Sequence, residues 1–460
     1  MLPIGRASAH NRIMSTNPRA AWNRLASLDA FRGLVMFLMM AEVLHLAGVW
    51  NTDEMRQSRV WRFLAHNQTH VEWAALSARD LIPGTAECDR HAAEGSWIDW
   101  SLHDMIQPGF SFLVGVALPF SLAARVARGQ SFGRMLLHAF WRALVLILLG
   151  VFLRSAGRPE TRWTFEDTLS QIGFGYVFLF LLGNCRPRVQ GLALILILVG
   201  YWSAFELYSP PHGLVLGQTE TGVPPNWPYN FDGFAAHWNK NTNFAWSFDT
   251  WFLNLFPPDR WFSYNPGGYA TLSFVPTLAT MILGLIAGGW LKNTASGLRT
   301  VGLLLLAGLV CLATGLTLDY FGICPSVKRI WTPSWVLVSG GWCYVAMALF
   351  FALIDWPGWT SWSFPLRVIG MNSIAAYCMA DLRIGNSSLG GFIRDSIKTH
   401  TLQLVNWIWG DKSLNIFQRL SVMLGGEPGS YEQFLGGVAV LLIFWLILFW
   451  MYRRKIFLRI

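Results

Sequence analysis

Charge is scarce in this chain. Only 13% of its 460 residues are Asp, Glu, Lys or Arg, against 53% hydrophobic, and the mean hydropathy is +0.38. A soluble globular chain carries about 25% charged residues, so most of this length is not built to face water. Cysteine is sparse too: none of the six residues has a CxxC or zinc-site spacing, which argues against a metal scaffold. Strict apolar/polar alternation is missing, which argues against barrel strands in lipid. No nucleophile elbow, phosphate-binding loop, dinucleotide fingerprint or HExxH helix occurs, so the common soluble-enzyme motifs contribute nothing.

Long apolar runs take their place. A helix needs roughly 20 mostly apolar residues to cross a bilayer. Such runs fall near 28–50, 105–124, 135–153, 167–183, 189–207, 269–291, 300–318, 334–354, 365–384 and 431–452. They predict an all-α, polytopic integral membrane bundle of about ten transmembrane helices. The expected organisation is a cytoplasmic segment 1–27, a membrane domain 28–452 and a basic tail 453–460. The first run is too long for an ordinary cleaved signal peptide and is expected to be retained.

Arg6, Arg12, Arg19 and Arg24 precede the first span, and Arg453, Arg454, Lys455 and Arg459 follow the last, so both termini are expected in the cytoplasm. Three sizeable segments, about 51–103, 208–268 and 385–430, then lie outside, and a bacterial inner membrane is the expected location. The net charge of +9 reads as anchoring beside anionic lipid and not as nucleic-acid binding. Cys88 and Cys324 share the outer face and are a candidate disulfide pair, whereas Cys311, Cys343 and Cys378 fall within spans.

Polar residues inside spans mark interior-facing positions. Asp29 and Arg32 stand at i and i+3, as do Glu42 and His45, so each pair is expected to share a helix face. The first pair also reads as an ion pair at the membrane surface. Asp104, Gln107, Gln171, Asn372 and Ser373 complete a candidate lining for substrate or a pore, although helix packing explains some of them equally well. In the second outer segment His237, Trp238 and Asn239 lie among Trp227, Trp246, Trp251 and Trp261. Aromatic faces and amides suit a carbohydrate site, and they suit an interfacial belt still better. The stretch 392–405 has helical apolar spacing with charges and is expected to be an interfacial helix.

Several segments, in order, resemble the heparan-α-glucosaminide N-acetyltransferase family and its bacterial members. "RLASLDAFRGLVMFLMM" (24–40) resembles the family's opening, and "HVEW" (70–73) with "DMIQPGFSFLVGVALPFS" (104–121) resembles its His-x-x-Trp and second core helix. "LSQIGFGYVF" (169–178), "NPGGYATLSFVPTLATMILGLIAG" (265–288), "IWTPSWVLVSGG" (330–341) and "GMNSIAAY" (370–377) continue the series.

The resemblance implies acetyl transfer across the membrane, from cytosolic acetyl-CoA as co-substrate to the amine of an amino sugar or glycan on the far side, with no metal. It also implies that His70 is catalytic; His103, beside Asp104, competes for that role because of the extra stretch between Trp73 and Asp104. CoA phosphates are expected against cytoplasmic Arg and Lys, and a homodimer stays open. A transporter of a sugar or acidic metabolite, coupled to protons through Glu42 and His45, is the alternative, weakened by the lack of an inverted repeat. A glycan-binding receptor module without chemistry is the third reading.

Overall fold

The computed structural model describes residues 25–458 except 53–54, 74–99, 210–220, 225–226, 228, 258–260, 295–296 and 410–413. The N-terminal bases and Cys88 lie outside the described residues. The described residues are mostly helical. Seven described helices are long and apolar enough to cross a membrane, within His103–Val126, Phe132–Ser155, Pro187–Glu206, Thr271–Asn293, Gly297–Tyr320, Pro333–Asp355 and Glu432–Arg453. The polytopic all-α reading therefore stands.

The helices are α1 (Ala26–Met40), α2 (Leu46–Trp50), α3 (Arg59–His66), α4 (Ile106–Val126), α5 (Phe132–Ser155), α6 (Thr168–Gly183), α7 (Pro187–Glu206) and α8 (Phe244–Phe252). They continue as α9 (Phe274–Asn293), α10 (Gly297–Tyr320), α11 (Pro333–Phe350), α12 (Phe364–Met371), α13 (Ser373–Asp381), α14 (Leu389–Trp409), α15 (Ile416–Met423) and α16 (Glu432–Arg453). A minimal antiparallel hairpin, Arg383–Ile384 with Ser387–Ser388, leads into α14.

Two expected spans are interrupted. Instead of one helix over 28–50, α1 stops at Met40, a 3-10 turn runs Ala41–Leu44, and His45 is left-handed at φ 47° before α2 begins. Gln68 stabilises this break: its Oε1 accepts from Leu46 N at 2.6 Å and its Nε2 donates to Ala41 O. Backbone groups freed from the helix thus keep partners, as a buried break requires. The apolar run 365–384 is likewise split at Asn372 into α12 and α13.

Close backbone contact holds the centre. α4 packs along α9, where a Cβ on Gly284 would come within 1.9 Å of Phe112 O, and one on Gly115 within 1.9 Å of Met281 O. Only glycine fits there, and the gap it leaves allows the carbonyl-to-helix approach typical of membrane bundles. At the other end of α1, Asp355 accepts from Ala26 N and Ser27 N at 3.0 and 2.9 Å, capping α1 from the end of α11. Trp335, Phe112, Met281, Ile282 and Tyr344 fill the interior. On α5, by contrast, Leu137, Phe140, Trp141, Leu144, Leu148 and Phe152 form a continuous exposed stripe at three- and four-residue spacing, a face suited to lipid.

Candidate functional site

The chain places the His-x-x-Trp segment over the start of α4. Trp73 is fully buried and its Nε1 donates to Trp238 O at 3.2 Å, which anchors the segment three residues beyond His70. Arg329 reinforces it, donating to Val71 O at 3.3 Å and to Gly267 O at 2.7 Å. His70 is thereby held at a cavity of about 400 Å³ whose lining includes Glu42, His45, Gln68, His103 and Arg394.

Behind His70 stands Asp104, with no exposed surface. Its Oδ1 is 3.3 Å from His70 Nδ1 and accepts from Lys328 Nζ at 2.8 Å. Its Oδ2 accepts from Ser101 N at 2.9 Å and Val71 N at 3.3 Å. A buried carboxylate persists only when paired and hydrogen-bonded in this way. Lys328 Nζ also lies 2.9 Å from His70 Nδ1. The ammonium and the carboxylate therefore meet the same imidazole nitrogen and decide between them which tautomer His70 adopts. Donation from Nδ1 to Asp104 leaves a lone pair on Nε2.

Desolvation pushes His70 below the usual histidine range; hydrogen bonding to Asp104 opposes this, and the neighbouring Lys328 and His103 add to it. A neutral imidazole results near pH 7, which is the form able to take a proton or an acyl group. The His103 ring lies beside it, tilted by 56° with 4.6 Å between ring centroids, and its Nε2 lies 2.8 Å from Glu42 Oε1. Glu42 reaches the cavity because α1 ends just before it.

The candidate residues separate into groups. Glu42, His70, His103 and Asp104 converge, and His45 shares their cavity. The expected Glu42/His45 helix-face pair is replaced by Glu42/His103, because the helix breaks between Met40 and His45. Gln107 Nε2 donates to Gln171 Oε1 at 2.8 Å, and Thr277 Oγ1 donates to the same oxygen at 2.9 Å, so these form an interior polar track one turn beyond His103.

Asp29 and Arg32, 3.8 Å apart, sit about 15–20 Å along the chain axis from Glu42 at 1.5 Å per residue, away from the cavity. Asn372 is buried at the α12/α13 break beside Ser373, with Oδ1 accepting from Leu458 N at 3.2 Å. Neither Asn372 nor Ser373 lines the cavity.

The amides of the aromatic loop serve the loop itself. Asn239 pairs with both backbone groups of Phe231, Asn241 with Thr221 O and Asn265 O, and Asn243 with Asn239 O and Trp246 N. Trp238 is fully buried, and His237 Nδ1 lies 3.1 Å from Tyr208 O. These residues hold a structure together and do not line the His70 cavity.

Sequence reasoning missed Lys328, Arg329, Gln68 and Arg394. Two adjacent bases between apolar runs, on the face assigned outside, run against the positive-inside tendency. That misplacement was the available signal.

No family model matches the chain. Heparan-alpha-glucosaminide N-acetyltransferase of Homo sapiens is 23% identical over 394 residues, covering 77% of this chain and 52% of the human protein. The Mus musculus protein of the same name is 22% identical over 397 residues, covering 78% and 53%. The likeness read from the motifs thus extends over most of the sequence: this chain is similar to the heparan-alpha-glucosaminide N-acetyltransferases and spans about half the length of the curated relatives it matches.

Proposed function

We propose that the protein is a transmembrane N-acetyltransferase that moves an acetyl group from cytosolic acetyl-CoA to the amine of an amino sugar on the periplasmic side of a bacterial inner membrane. The observation carrying this reading is His70 at a cavity mouth, backed by the buried Asp104–Lys328 pair and flanked by His103 and Glu42. Relatives named as N-acetyltransferases support the reaction class.

Acetyl-CoA is too highly charged to cross lipid, so the thioester has to reach the acceptor through the protein. The CoA phosphates are assigned to bases at the opposite end of the bundle, such as Arg125, Arg128 and Lys292, where guanidinium and ammonium groups suit phosphate oxygens. The thioester arm follows the polar track of Gln171 and Gln107 towards His70. There the neutral amine nitrogen attacks the thioester carbonyl, its proton passes to His70 Nε2, and the C–S bond breaks to release the CoA thiolate, which takes that proton from the imidazolium. In the relay version Nε2 attacks the thioester first, the C–S bond breaks to release the CoA thiolate, and the amine then displaces the imidazole from the acetyl group. Glu42 presents a carboxylate to the ammonium form of the acceptor and takes the proton that must leave before the nitrogen can attack, and Asp104 steadies the imidazolium.

Transfer from labelled acetyl-CoA to glucosamine-type acceptors by protein in liposomes tests this, with His70→Ala and His103→Ala alongside. His70→Ala is expected to lose roughly 10²- to 10⁴-fold, the usual contribution of a general base. Absence of both transfer and CoA binding in the unaltered protein would remove the reading and leave the transporter, which predicts flux without CoA.

A further inference from the structure

The mouth of the cavity also gathers metal-ligand chemistry. One ring nitrogen each of His70 and His103 and one carboxylate oxygen of Glu42 all lie within 4.8 Å of one another. We propose that Glu42, His70 and His103 bind a divalent transition-metal ion of the zinc class, with the remaining coordination position open to the cavity. Two imidazoles and one carboxylate suit zinc and its neighbours, whereas magnesium and calcium prefer all-oxygen sets.

Three separate segments supply the ligands: the 3-10 turn after α1, the His-x-x-Trp segment and the turn Ile106 follows. Each is independently fixed, Glu42 by the Gln68-braced break, His70 by Trp73 and Arg329, and His103 by burial. Asp104 lies behind His70 as an outer-shell carboxylate. Its contact is with Nδ1, which leaves Nε2 for an ion, and such a partner orients a ligating imidazole and makes it a better donor. Lys328 is the nearest cation on that side, and its charge is taken up by Asp104 at 2.8 Å.

Ligand atoms now within 4.8 Å of one another have to settle at the spacing an ion imposes. Ligand atoms about 2.0–2.2 Å from a tetrahedral zinc stand roughly 3.3 Å apart. His103 Nε2 and Glu42 Oε1 are 2.8 Å apart, so they need to separate slightly. The side chains of His70 and Glu42, 44% and 58% exposed, have room at the cavity to rotate inward. Arg394 and His45 line the same cavity but belong to no part of the ligand set. An ion here ties up the His70 lone pair that acetyl transfer requires, so it inhibits that reaction and is not its cofactor.

The test uses tag-free, chelator-stripped full-length protein in lipid nanodiscs, titrated with Co²⁺ as a coloured probe and then with Zn²⁺. One equivalent of Co²⁺ is expected to give the visible absorption of a four- or five-coordinate ion, displaced by Zn²⁺. Affinity should fall at least tenfold in His103→Ala and Glu42→Ala and stay unchanged in His66→Ala, which lies outside the cavity. Asp104→Asn should weaken binding about 10- to 100-fold, as removal of an outer-shell partner does.

If an alanine variant elutes as aggregate, His103→Gln or Glu42→Gln replaces it. No stoichiometric Co²⁺ signal in the unaltered protein, or equal signals in every variant, overturns the site. Zn²⁺ that blocks acetyl transfer reversibly supports it fully. Zn²⁺ that binds these residues and leaves transfer untouched keeps the site and removes His70 from the reaction, so the two readings fail separately.

Discussion

At the residue scale, the candidate site depends on compensating one buried charge with another. Lys328→Met strands the Asp104 carboxylate and is expected to destabilise the protein by about 3–5 kcal/mol, the cost of breaking a buried pair from one side. Adding Asp104→Asn should restore much of that stability without restoring acetyl transfer. Thermal unfolding and transfer assays on the single and double variants read the two effects apart.

Asp249 gives an independent pH prediction. Burial pushes its carboxyl up to about 7, and the hydrogen bond that Oδ2 accepts from Thr271 N at 2.9 Å opposes this only in part. A folded-state pKa above the unfolded value favours the protonated native form. Its contribution is therefore present in full below about pH 4 and lost as pH rises through 7. Asp249→Asn removes this dependence, so its unfolding midpoint should exceed that of the unaltered protein at pH 8, with the gap closing progressively as pH falls to about 4.

At the element scale, close helix contact and helix breaks decide the architecture. Gly284→Val on α9 forces a side chain into Phe112 O and should cost at least about 1–3 kcal/mol, seen as a lower unfolding midpoint or loss of monodisperse protein. Gln68→Leu strips Leu46 N and Ala41 O of their partners, at about 1–3 kcal/mol for each buried group left unpaired. It should also raise the acceptor KM, because Glu42 loses its fixed turn.

Much of this level was legible in the sequence, since hydropathy over 20-residue windows reports what lipid must cover. The breaks at residues 41–45 and 372 were not, because the apolar runs resume beyond Glu42, His45 and Asn372, polar residues that a continuous helix also tolerates, and the interruption is imposed by distant partners. Glu42 and Asp104 were legible as polar residues near span ends, and His70 through the resemblance of its His-x-x-Trp segment. Their convergence was not, since Lys328 lies 224 positions from Asp104 and no local pattern encodes that distance.

At the scale of the whole molecule, the site belongs to one end of the bundle and the CoA-binding bases are assigned to the other. Exposed Cys185 lies between Arg186 and the end of α6, on the face assigned to the cytoplasm. A membrane-impermeant maleimide should therefore label it in inside-out vesicles and not in intact cells or right-side-out vesicles. The same vesicles should use acetyl-CoA only when it is supplied on the face from which Cys185 is labelled. Labelling from the opposite face would reverse the inferred orientation.

The Asp104–Lys328 pair has a further consequence, in time. Asp104 emerges from the ribosome 224 residues before its counter-charge, an interval of roughly 11 to 45 s at about 5–20 residues per second. Until then the α4 segment enters the membrane with an uncompensated acid at its head. His70 consequently acquires its finished surroundings only after most of the bundle has been synthesised.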